Sequence, residues 1–250
     1  MNKVPQVTLA FWIIKILATT LGETGGDTLS MSFNLGYAAS TGIFFVLFAI
    51  TVLMQIRSRA FHPFMYWLVV VATTLTGTTI ADFADRSLGI GYPGGTLILF
   101  TLVVISLASW RFATGSISVS HINSAKNESF YWVTILFSNT LGTALGDFLA
   151  DDTGLGFSGG ALFFGALIAG IAALYFFTKL SRTWLFWAAF ILTRPLGATL
   201  GDLLTKPVSH GGFNLSRPDS SAVIAVCMVA AILITWPRGG AEPGKPAMAN

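Results

Sequence analysis

Four aspartates, Asp27, Asp82, Asp147 and Asp202, each lie at the end of an apolar stretch and share one local pattern. A glycine stands five residues before each (Gly22, Gly77, Gly142, Gly197), and a small residue stands directly before it (Gly26, Ala81, Gly146, Gly201). A tryptophan lies fifteen residues before (Trp12, Trp67, Trp132, Trp187), itself preceded by another aromatic (Phe11, Tyr66, Tyr131, Phe186). Ten or eleven residues after each aspartate comes Tyr37, Tyr92, Phe157 or Phe213. An ionised carboxylate within an apolar helix is costly unless it meets a partner, water or an ion. Four at one depth form a ring, and acidic rings concentrate cations at pore mouths. Oxygen donors without clustered His or Cys suit Na⁺, Mg²⁺, Ca²⁺ or Mn²⁺ better than copper or zinc. Asp27, Asp82, Asp147 and Asp202 are therefore the expected metal ligands.

Side chains three, four, seven and eight positions before an aspartate share its helical face. They are Thr19, Thr20, Glu23 and Thr24 in the first case and Thr74, Thr78 and Thr79 in the second. The third has Asn139, Thr140 and Thr143, and the fourth Arg194 and Thr199. Polar stripes in lipid must face protein or a watery cavity, so a polar cavity open at the aspartate end is expected. Threonine can also satisfy its hydroxyl on its own helix, which would make the stripe simple helix glue. Glu23, Lys15 and Arg194 break the fourfold pattern. The two bases read as counter-ions to the carboxylates, Arg194 towards Glu23 or Asp147 across the centre. Five acids against Lys15 and Arg194 leave a surplus of three negative charges, which favours a cationic ligand or shared protons.

The elements that position these groups follow from composition. Of 250 residues, 54% are hydrophobic and 10% charged, with mean hydropathy +0.73. Soluble domains carry about 25% charged residues, so the chain reads as an integral membrane protein. Apolar segments occur at about 6–27, 36–56, 64–85, 93–112, 130–150, 158–178, 183–204 and 220–236, each near the roughly 20 residues a spanning helix needs. The expected fold is an all-α, polytopic bundle of eight transmembrane helices. Pro93 near a first helical position, Ser158 as an N-cap and Asp219-Ser220 before the last span mark helix starts. One membrane domain, 1–238, is expected, followed by a disordered tail at 239–250.

Lys3, Arg57, Arg59, Arg111, Lys126, Lys179, Arg182, Arg238 and Lys245 fall on one side, against Arg86, Lys206 and Arg217 on the other. The positive-inside rule then places both termini in the cytoplasm. A net charge of +3 gives no reason to expect nucleic acid. Cys227 is the single cysteine, which excludes a disulfide framework. Interface anchoring explains the tryptophans, and close helix approach explains the glycine pairs.

The aspartate spacings of 55, 65 and 55 divide the chain into two halves of two repeats, at about 6–60, 61–115, 126–180 and 181–237. Each repeat holds two spans, so all four share one orientation and can be related by an axis along the membrane normal, as parallel repeats are. On its four aromatic-Trp pairs and the segments Gly22–Asp27, Gly77–Asp82, Gly142–Asp147 and Gly197–Asp202, the chain resembles a bacterial membrane-protein family described as a fourfold "repeat of unknown function". In that family each repeat carries two spans and a characteristic tryptophan. The resemblance implies the bacterial cytoplasmic membrane and the eight-span layout. It implies no activity.

The residues themselves point to a small-cation transporter, with proton coupling as an option. Its expected ion-binding set is Asp27, Asp82, Asp147, Asp202, Glu23, Thr24, Thr78, Thr143, Asn139, Arg194 and Lys15. A non-transporting scaffold or sensor, or a carrier of a small organic solute in an aromatic pocket, are the alternatives. No nucleophile elbow, phosphate loop or metallohydrolase pattern is present, so neither an enzyme nor a cofactor is expected. The expected partners are the lipid bilayer, a small cation or protons, and a homo-oligomeric assembly is open.

Overall fold

The computed structural model describes residues 3–58, 60–122 and 124–235. The expected tail at 239–250 lies outside them. Among the described residues there are eight α-helices and no strand. They are α1 (Leu9–Asp27), α2 (Gly36–Arg57), α3 (Pro63–Asp82), α4 (Tyr92–Thr114), α5 (Ala125–Asp147), α6 (Gly156–Phe177), α7 (Arg182–Thr205) and α8 (Arg217–Thr235). Six helical segments are long and apolar enough to cross a membrane; α1 and α7 are not among them. Both carry charges inside, Lys15 and Glu23 in α1 and Arg194 and Asp202 in α7.

Local signals account for the ends. Thr8 caps α1 by accepting from the Phe11 amide, and Ser124 caps α5 by accepting from the Asn127 amide. Ser158 does not cap α6. The chain turns earlier, through Gly154 and Gly156 at φ +75° and +65°, a conformation open mainly to glycine, so the helix already begins at Gly156. After Asp27, Asp82 and Asp147 the helical path does not stop but widens into one π-helical turn, Thr28–Ser32, Phe83–Ser87 and Phe148–Asp152. That extra turn keeps the residue four places after an aspartate on the aspartate's own face.

The odd helices form a closed inner ring, α1 against α3, α3 against α5, α5 against α7 and α7 against α1. Each even helix packs chiefly on the inner helix of the following repeat: α2 on α3, α4 on α5, α6 on α7 and α8 on α1. In the apolar windows of α3 and α5, 67% of residues are buried, against 11–22% in the even helices. The outer helices bury a narrow stripe only, such as Ile224, Met228 and Ile232 in α8. Elsewhere they expose Phe45, Ile50, Phe100, Phe163 and Val226.

Glycine sets the inner contacts. In each repeat the glycine five before the aspartate faces the residue eight before the aspartate of the next repeat. Gly22 meets Thr74, Gly77 meets Asn139, Gly142 meets Arg194, and Gly197 meets Thr19. Close backbone approach of this kind brings interhelical hydrogen bonds within reach. Thr74 Oγ1 accordingly donates to the Ala18 carbonyl, and Thr19 Oγ1 to the Thr193 carbonyl, at 3.2 Å each. A methyl group at Gly197 would overlap the Thr19 side chain and lie 2.9 Å from its backbone carbon. Gly197→Ala is therefore expected to destabilise the detergent-solubilised protein by about 1–3 kcal/mol through overpacking. An unchanged thermal midpoint would refute that packing.

Candidate functional site

The inner ring encloses a stack of layers, each with one contribution from every repeat. At the helix N-terminal end the aromatic pairs interlock cyclically. Phe11 packs on Trp67, Tyr66 on Trp132, Tyr131 on Trp187 and Phe186 on Trp12, with ring centroids 5.5, 5.5, 6.2 and 5.7 Å apart. Trp67, Trp132 and Trp187 are buried. Hence these tryptophans are not interface anchors as the sequence led us to expect; they staple neighbouring repeats together. Ile117 and Ile122 from the α4–α5 connection pack on this cluster, and the Trp187 indole donates to the Ile117 carbonyl at 2.9 Å. Lys3 fastens the N-terminal segment over the same end through Glu128, 2.6 Å away, and through the Ile122 carbonyl. This end of the bundle is closed.

One layer further in, the Lys15 ammonium lies 4.2 Å from the centroid of the Phe190 ring and donates to Asn139 Oδ1 at 3.4 Å. Asn139 in turn donates to Thr73 at 2.8 Å. Lys15 and Asn139 thus serve each other, and among the described residues neither is paired with a carboxylate.

Above them Arg194 fills the centre. It is fully buried and donates to Glu23 Oε2 at 3.1 Å, Thr143 Oγ1 at 2.6 Å, Thr78 Oγ1, and the Thr19 carbonyl at 3.3 Å. A single guanidinium on the fourth repeat therefore ties in the other three. Glu23, Thr78 and Thr143, all four residues before their aspartates, face this centre. Thr24 does not; one position further on, it turns to α8 and accepts from Ser221 at 2.9 Å. Packed side chains occupy the place where the polar stripe led us to expect an open cavity.

The four aspartates come next, and they are not a bare acidic ring. Arg86, four residues after Asp82, bridges Asp82 at 3.2 Å and Asp147 at 3.0 Å. Lys206, four residues after Asp202, bridges Asp202 and Asp27, both at 3.2 Å. Arg217 adds a contact to Asp27 at 3.5 Å. All three bases expected on the aspartate side are thus drawn into the acid layer. The anticipated surplus of three negative charges is corrected accordingly: Arg86, Lys206 and Arg217 join Arg194, so four cations pair with five acids and an excess of one negative charge remains, Lys15 lying a layer away on Asn139. The missed signal was a basic residue four after the aspartate at Arg86 and Lys206, 120 residues apart. Burial works against the Lys206 ammonium, but Asp202 and Asp27 outweigh it and hold its pKa well above the ordinary lysine value.

Within this layer three carboxylates converge. Oxygens of Glu23, Asp147 and Asp202, all buried, lie within 4.8 Å of one another. Asp27 and Asp82 do not join them, being held by Lys206 with Arg217 and by Arg86. Over the layer opens a recess of about 240 Å³, lined by Arg86, Tyr92, Asp151, Phe157, Lys206, Pro207 and His210. At ~30 Å³ per water it has room for a partly hydrated ion. Of the acids beyond the aspartate layer, Asp151 borders the recess, whereas Asp85 is buried against Gly95.

A family model described as "Repeat of Unknown Function (DUF347)" matches the chain four times, over residues 10–61, 65–116, 130–181 and 185–239. No curated protein and no solved structure matches it.

Proposed function

Since this chain belongs to the Repeat of Unknown Function (DUF347) family, a membrane-like repeat fold without an assigned activity, we propose that it is an eight-span transporter of a small hard cation, with protons as the coupling ion. The observation that carries this reading is the convergence of Glu23, Asp147 and Asp202 within 4.8 Å, beneath the recess. Carboxylates this close cannot all stay charged without cations beside them. Each has one: Arg194 for Glu23, Arg86 for Asp147 and Lys206 for Asp202. An arriving ion or proton exchanges with charges the protein already holds. That is a carrier's chemistry, whereas an open channel would need a continuous path past Arg194.

In this reading the four repeats stand parallel across the bilayer, α1 and α7 spanning it inside a collar of apolar helices. Among the described residues, Lys3, Arg57, Arg111, Lys126, Lys179 and Arg182 flank the aromatic end, against Arg86, Lys206 and Arg217 at the aspartate end. The positive-inside rule then gives cytoplasmic termini and a recess facing outward, in the cytoplasmic membrane of a bacterium. A non-transporting scaffold is the second reading, favoured by the filled centre around Arg194.

Purified protein in liposomes loaded with pH- and cation-sensitive dyes decides between them. Expected is flux of at least one of Na⁺, Mg²⁺, Ca²⁺ and Mn²⁺, falling to the protein-free background in Asp147→Asn and Asp202→Asn variants that still fold. Wild-type vesicles silent across that panel would leave the scaffold.

A further inference from the structure

Arg86 and Lys206 occupy equivalent places in the two halves, yet their surroundings differ. Arg86 also donates to the phenols of Tyr37 at 3.0 Å and Tyr92 at 3.1 Å, so its guanidinium is pinned from four sides. The residues 120 positions beyond Tyr37 and Tyr92 are Phe157 and Gly212, which carry no hydroxyl. Lys206 accordingly holds only the carboxylates of Asp27 and Asp202 among the described side chains, and it borders the recess together with Phe157. Asp27 Oδ1 is buried and accepts no hydrogen bond among the described residues, and buried Asp202 Oδ1 has the Lys206 ammonium 3.2 Å away. One bridging cation is thus held by two carboxylates and two phenols, the other by two carboxylates alone.

Ligand number and charge say what could replace it. Ca²⁺ takes six to eight oxygen ligands in flexible geometry, whereas Mg²⁺ keeps several waters and takes one or two carboxylates. The three converging carboxylates of Glu23, Asp147 and Asp202 suit the ion that takes more protein ligands. With Lys206 withdrawn, five carboxylates face Arg86, Arg194 and Arg217, a deficit of two positive charges. A divalent cation fills it.

Building on the transport reading, we propose that the Lys206 ammonium is an internal stand-in for a Ca²⁺-like divalent cation. The ion enters through the recess, displaces the ammonium from Asp202, and is held by Glu23, Asp147 and Asp202. Arg86 stays clamped by its two tyrosines. The half carrying Lys206 exchanges ions, and the half carrying Arg86 holds the frame.

Equilibrium dialysis of the full-length protein in detergent against radioactive Ca²⁺ tests this. Wild type is expected to bind one Ca²⁺ saturably. Lys206→Met is expected to bind it about tenfold tighter, because a competitor occupying nine tenths of the site weakens apparent affinity by that factor. Asp202→Asn should bind none, and Asp219→Asn, on an exposed position, should match wild type. Equal or weaker binding by folded Lys206→Met would overturn the proposal. Should that variant not fold, acetic anhydride labelling of wild type replaces it: saturating Ca²⁺ should raise acylation of Lys206, and unchanged labelling would overturn the proposal. Ca²⁺ binding with release of Lys206, but no uptake into vesicles, would uphold the site and remove the transport reading. Uptake of another cation by a protein that binds no Ca²⁺ would do the reverse.

Discussion

Arg194→Met is expected to lower the stability of the detergent-solubilised protein by about 3–5 kcal/mol, the cost of breaking a buried ion pair by removing one partner. The variant strands Glu23, which is buried at 2% exposure, and leaves Thr78, Thr143 and the Thr19 carbonyl without their donor. Arg194→Lys should recover only part of the loss, since one compact ammonium cannot reproduce a planar fork that reaches several acceptors at once. Arg194→Met combined with Glu23→Gln should be more stable than Arg194→Met alone, because the stranded charge is gone. Tryptophan fluorescence on heating gives the order. A double variant no better than the single one would mean that the guanidinium acts by filling space, not by charge.

Arg86→Met is expected to cost a similar amount, about 3–5 kcal/mol, for a different reason. It separates Asp82 from Asp147 and releases the Tyr37 and Tyr92 phenols, so two pairs of repeats lose a shared contact. Asp82→Asn in that background should restore part of the loss by removing the acid that has no other ion-pair partner among the described residues. Lys206→Met is expected to be the milder lesion of the two halves, since Arg217 remains on Asp27. Equal losses on the two sides would contradict the division into a clamped and an exchangeable cation.

Much of this architecture is legible in the chain because each repeat writes the same requirement at the same place. Close helix approach demands glycine five before the aspartate, and the four glycines register against the next repeat. That Arg194 would pair with Glu23 or Asp147 was also legible, since an arginine in an apolar run needs an acid within reach, and the partner is Glu23. The closure of the ring was not. Which inner helix an outer helix covers depends on narrow buried stripes in sequences apolar on every side, and periodicity does not separate such faces. Arg86 and Lys206 were misread for a related reason. Spans read as 64–85 and 183–204 leave Arg86 and Lys206 just outside the helices, but the π-helical turn Phe83–Ser87 carries Arg86 over the carboxylate. The tryptophans misled because an amphipathic ring near a helix start fits a headgroup boundary as well as a cyclic cluster, and only the neighbouring repeats tell the two apart.

Whether the converging carboxylates carry a cation across a bilayer is tested most directly by isotopic Ca²⁺ uptake into proteoliposomes under an opposing proton gradient. Wild type and Asp219→Asn should accumulate Ca²⁺ saturably, while Asp202→Asn, equally folded and inserted, should not exceed empty vesicles. Uptake by Asp202→Asn at the wild-type rate would contradict that role for the buried acids.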